Sequence, residues 1–152
     1  MTFTDFKQMQ PIATERSQTV LKYVKLLCEV LRTNYQTYAI RLHQNLIDKG
    51  EKVEYHQQQI DALSKGEGVD EYVFEKGRKY FRIFHITNSG NSKSVHMFVD
   101  IITGDCFKPA SYKAPAKGIR YNLLDDNSRE EMLRRSDWSG RYLYLTQSAG
   151  SC

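Results

Sequence analysis

The feature that most restricts how this chain can fold is a change of hydrophobic period at Gly68. Upstream, Val20, Val24, Leu27, Leu31, Tyr35, Tyr38, Leu42 and Leu46 follow one another at intervals of three or four, the spacing that aligns one face of an α-helix. Thr14 and Ser17 are candidate caps, Gly50 is a stop signal, and Asn34 leaves open whether the stretch is one helix or two. Residues 51–64 then place Val53, His56, Ile60 and Leu63 on one side of a shorter helix, which ends in the hinge Lys65-Gly66-Glu67-Gly68. Downstream the pattern alternates, predicting strands at 72–74, 80–87, 95–101, 106–107 and 141–145, with turns at Gly77, at 88–92 and at 102–105. The expected fold is α+β: N-terminal helices packed on a four- to five-stranded antiparallel sheet. It is read as a single domain over 1–152, with a helical half at 14–64, the sheet at 69–147 and a basic loop at 108–122.

Pairing Thr87 with Ser94 puts Tyr80, Phe84 and Ile86 on one face with Val95, Met97, Val99 and Ile101. That face is continuous and apolar, suited to burial under the helices. The opposite face then carries Phe81, Ile83 and His85 beside His96, Phe98 and Asp100, with the two histidines facing each other. Such a pair could share a metal or a proton, but no third ligand is evident, and two half-exposed histidines on a sheet is the plainer reading.

With 40% hydrophobic and 26% charged residues, a chain of 152 residues can bury a core without disulfides. Cys28, Cys106 and Cys152 are scattered and lack C-x-x-C spacing, which suits a reducing compartment such as the cytoplasm. No apolar run reaches the roughly 18 residues of a membrane span, and the N-terminus does not read as a secretory signal. A net charge of +4 permits a nucleic-acid partner without requiring one.

The densest chemistry lies in residues 108–122, which hold four basic residues, two prolines and no acid. Lys108, Lys113, Lys117 and Arg120 are candidate phosphate contacts, Tyr112 and Tyr121 candidate stacking surfaces, and Ser111 a hydrogen-bond donor. A solvated loop wrapping the sheet edge explains the same composition, because spacing alone does not converge the charges. Asp100 to Asp105 reads as a hairpin turn and Asp125-Asp126 as a helix start, with Arg134-Arg135 at that helix's other end. Trp138 reads as packing. No nucleophile–base signature appears, and neither a cofactor nor a metal is implied.

The segment Phe98-Val99-Asp100, Thr103-Gly104-Asp105, Lys108-Pro109-Ala110-Ser111, Ala114-Pro115-Ala116-Lys117, Arg120 and Asn122 resembles a pattern in small tailed-bacteriophage proteins. The resemblance spans about 95–126 and implies action inside an infected bacterial cell rather than any activity. Two expectations follow. The first is a non-enzymatic binding protein that takes a phosphate-bearing ligand, single-stranded nucleic acid foremost, through the basic loop. The second is an interaction or inhibitor module that meets a host protein, or another copy of itself, through the long amphipathic helix. A weaker third is a nucleotide binder or hydrolase using His85 and His96.

Overall fold

The computed structural model describes residues 3–144, with side chains from residue 13 onward. Helix α1 runs unbroken over Phe3–Asp48 and α2 over Val53–Ser64. A five-stranded antiparallel sheet follows in sequence order: β1 Glu71–Lys76, β2 Tyr80–Ile86, β3 Lys93–Asp100, β4 Asp105–Phe107 and β5 Tyr121–Asn122. Helix α3, Asp126–Arg135, and a 3-10 turn at Arg141–Leu143 complete the α+β fold.

Asn34 does not interrupt α1. Its side-chain oxygen instead accepts from the backbone N–H of Trp138 at 2.9 Å. Thr14 and Ser17 lie inside the helix rather than capping it, and Ser17 donates to the Thr14 carbonyl. The stop at Gly50 is as expected: with φ 77° it lets its own N–H reach Ile47 and that of Glu51 reach Leu46, satisfying carbonyls at the helix end. Gly66 ends α2 the same way, and side chains of α1 complete that terminus, Gln36 donating to Leu63 O at 2.6 Å and Arg32 to Gly66 O at 3.1 Å.

The first half of the predicted stripe is core. Val20, Val24, Leu27 and Leu31 are fully buried against Phe81, Ile83, Met97 and Val99, with Leu123, Met132, Tyr142 and Leu143 closing the cluster. Each such side chain contributes about 1.5–3 kcal/mol by leaving water. The second half differs: Tyr38 and Leu42 are exposed, and Ala39 takes over the packing, on Leu63 and Val69.

The β2–β3 register also differs from expectation. Ser94 pairs with His85, not Thr87, and between the pairs Phe84–Val95 and Ile83–Met97 the chain of β3 carries one extra residue, His96. A bulge of this kind shifts side-chain alternation by one along the strand. Phe81 and Ile83 therefore face α1, while Tyr80, Arg82, Phe84 and Phe98 belong to the other face. His85 and His96 do not oppose each other. Tyr72 lies against both, stacked on His85 at 4.7 Å and edge-on to His96 at 5.6 Å.

The predicted last strand is a second correction. Residues 141–143 form the 3-10 turn, while residue 145 lies outside the described residues; the fifth strand is Tyr121–Asn122. The turn holds because Gly140 takes φ 81° and Tyr142, fully enclosed, hydrogen-bonds His96 Nε2 at 2.8 Å.

The 102–105 turn forms as read, Asp100 accepting from the N–H groups of Ile102 and Thr103 at 2.9 Å each. Gly104 sits at φ 76°, where an added Cβ would lie 3.1 Å from Leu124 Cγ and 3.3 Å from Leu124 N. Gly104→Ala is expected to destabilise the fold by at least about 1–2 kcal/mol, from the left-handed conformation alone. A thermal midpoint equal to that of the parent protein would contradict this.

Candidate functional site

Most of the 108–122 segment builds the loop rather than presenting it. Ala110 and Ser111 N–H groups donate to Ala114 O, Ala116 N–H to Lys108 O, and Pro109 bridges Pro115. Ser111, expected to donate to a ligand, has its hydroxyl accepting from Lys113 N at 3.3 Å and Ala114 N at 3.2 Å. Asn122 ties the sheet to α3, donating to Thr103 O and Asp105 and accepting from Leu124 and Asp125 N–H groups. The start of α3 is capped by Asp125, which accepts from Asn127 N at 3.2 Å.

The candidate basic residues do not converge as one group. Tyr121 is buried at 9% exposure, packed with Tyr142, so it belongs to the core and offers no stacking face. Lys108 lies over the Tyr144 ring at 4.7 Å, and Lys117 is exposed. Arg120 folds beside Gly118, its Nε enclosed without a hydrogen-bond acceptor among the described residues. Tyr112 and Lys113 remain, and these two border an open cleft of about 520 Å³.

The rest of that cleft comes from the β1–β2 turn and the strand surface beneath it. Arg78, Lys79, Tyr80, Arg82 and Phe98 line it. The turn is tight, Gly77 N–H donating to Tyr80 O at 2.8 Å, which projects Arg78 and Lys79 at its tip. Arg82 joins the two sides: its Nη1 donates to Tyr112 O at 3.1 Å, and its guanidinium lies 5.3 Å from the Tyr112 ring and 5.1 Å from that of Phe84. Tyr112 thus rests on a cation–aromatic stack while 48% of its surface stays open. Glu75 neutralises part of the neighbourhood, bonded to Lys93 at 2.6 Å and 3.8 Å from Arg82. The hydrogen bond from Lys93 holds the Glu75 carboxyl below its ordinary pKa, and the same bond raises the Lys93 ammonium. Among the described residues, Arg78, Lys79 and Lys113 form no ion pair.

A second hollow of about 730 Å³ lies on the far side of the same turn, lined in part by Lys76, Arg78, Lys79, Ser17 and Thr103. Arg78 and Lys79 border both. The sequence reading missed this pair; the run Lys76-Gly77-Arg78-Lys79, three cations around a turn glycine, was its signal.

The alternatives based on reactive side chains gain no geometry. Burial pushes the Cys28 thiol up to about 12, with Glu29 adding to it, and burial likewise raises Cys106, so neither is a ready thiolate. His85 is engaged with Asp70 at 2.7 Å and His96 with Tyr142. Among the described residues no group of three or more His, Cys, Asp or Glu is placed to hold a metal, and no helix is long and apolar enough to cross a membrane.

A long helix laid across one face of a five-stranded antiparallel sheet, with a basic, aromatic-floored cleft on the other, defines an α+β protein with a charged surface groove. The chain belongs to a family of unknown function, DUF7717, whose model matches residues 3–145. No curated protein and no solved structure matches it.

Proposed function

We propose that this protein is a non-enzymatic binding protein for a phosphate-bearing ligand, single-stranded nucleic acid, held in the cleft between the β1–β2 turn and the 108–120 loop. The observation that supports this most is the meeting of Arg78, Lys79 and Lys113, three cations with no ion pair among the described residues, with an exposed tyrosine held on a guanidinium. Phosphates take the cations, and a base stacks on Tyr112, a contact indifferent to base identity. The setting is the cytoplasm of an infected bacterium, as the phage-like segment implies.

The expected result is that a labelled oligothymidylate binds with an affinity that falls with salt. With three phosphates neutralised, log K should decline with log salt at a slope of about −2. R78Q/K79Q should weaken binding by about tenfold or more, as two charge-assisted contacts are lost, and Tyr112→Ala by about 1–3 kcal/mol. K108Q and K117Q, outside the cleft, should change little. Fluorescence anisotropy decides it: binding indifferent to salt, or equal in R78Q/K79Q and K108Q/K117Q, rejects the cleft.

The reading through the long helix has lost most of its surface. Val24 and Leu31 are fully buried, which leaves Tyr38 and Leu42 of the stripe outward.

A further inference from the structure

Tyr38 is one wall of a different cleft, on the α1 side of the sheet. Asn34, Thr37, Tyr38 and Arg41 stand at positions i, i+3, i+4 and i+7, one face of the helix, and they border an open cleft of about 490 Å³. The other wall is the segment from Asp137 to Arg141. That volume is within the range of roughly 300–1,000 Å³ usual for small-molecule sites.

Trp138 is built into this cleft rather than merely lying at its edge. Its N–H is held by Asn34 at 2.9 Å and its carbonyl by the Tyr72 hydroxyl at 2.6 Å, so the backbone is fixed on both sides. The indole packs on Tyr35 edge-on at 5.6 Å and on Tyr38 at 4.7 Å, and its own N–H donates to no acceptor among the described residues. Arg41 from the helix and Arg141 from the turn are both exposed and form no ion pair among the described residues. Among the described residues the one carboxylate lining the cleft, Asp137, is turned into its own bend, accepting from the N–H and hydroxyl of Ser139. Two guanidinium groups against one engaged carboxylate leave a positive site. Guanidinium forks match phosphate oxygens in two-point contacts, and an indole beside a phenol offers a flat apolar surface and a spare donor.

We propose that this cleft binds a nucleoside phosphate, the base against Trp138 and Tyr38 and the phosphate between Arg41 and Arg141. The phosphate comes from a free mononucleotide or from the 5′ end of a strand. The site is separate from the basic cleft and stands without it.

Trp138 is the sole tryptophan, so its emission reports occupancy directly. Adenosine 5′-monophosphate should quench it saturably, and adenosine should bind at least about tenfold more weakly, the equivalent of about 1.4 kcal/mol for the lost phosphate contacts. R41Q/R141Q should lose that preference while keeping the parent circular dichroism, and R78Q/K79Q should retain it. Equal affinity for the nucleotide and the nucleoside, or an unchanged preference in R41Q/R141Q, overturns the proposal, as does the absence of quenching together with the absence of heat in calorimetry. A 5′-phosphorylated oligothymidylate that competes better than its 5′-hydroxyl counterpart identifies the strand end as the source; equal competition identifies the free nucleotide.

Discussion

Phe84→Ala is expected to cost about 3–5 kcal/mol of folding stability, as much as truncating a single large side chain in the helix-facing core would. Phe84 is fully buried, yet it lies on the sheet face away from α1, beneath Tyr112 and the Arg82 and Lys93 cations. A surface loop would not protect it so completely; the 108–120 segment is a second covering layer. Removing the ring leaves a void under Arg82 and Tyr112, so oligonucleotide affinity should fall together with stability. Denaturant unfolding alongside Leu31→Ala, from the α1 side, checks the first part. A loss below about 1 kcal/mol for Phe84→Ala would mean that the layer closes no core.

The second large effect is a loss of stability on acidification. His96 is buried, and that burial, with His85 adding to it, lowers its pKa from 6.5 to about 4. The unfolded chain therefore takes up the proton first. The stabilising contribution is whole above pH 6.5, shrinks as pH falls and is gone near 4, a loss of about 3 kcal/mol. His43 acts in the same direction: its Nδ1 meets His56 Nδ1 at 2.7 Å, and burial, then the neighbouring imidazole, lowers its pKa. The depressed carboxyls of Glu75 and Glu131 have an ordinary value of 4.5, so they add their loss mainly below that pH, and the window from 6.5 to 4.5 belongs to the histidines. Unfolding free energy measured across that window should fall in the parent protein and fall much less in His96→Gln. An unchanged pH slope in that variant would remove His96 from the account.

The α+β division, the positions of α2 and α3, the glycine stops and the 102–105 turn were all legible, because each depends on neighbours within a few residues. The strand register was not. Both faces of β2 and β3 are apolar, Phe81 and Ile83 toward the helix and Phe84 and Phe98 toward the loop, so alternation cannot show where the extra residue at His96 enters. Tyr112 and Tyr121 look alike in composition, yet one lies open on a guanidinium and the other in the core, a difference made by which way β5 faces. Half of the candidate cleft was hidden for a similar reason. Arg78 and Lys79 lie more than thirty positions from Lys113, and the fold alone brings the β1–β2 turn to the loop.

The hydrogen bond from Trp138 to Asn34 joins positions 104 residues apart, and that between His96 and Tyr142 joins positions 46 apart. Helix α1 therefore leaves the ribosome well before the residues that complete its packing. The core it joins is complete only when Tyr142 and Leu143 have emerged, because both belong to the same buried cluster as Leu27 and Leu31. During synthesis the nascent chain should carry a long amphipathic helix with its apolar side open, a natural client for a chaperone, and release should follow the emergence of the 141–143 turn.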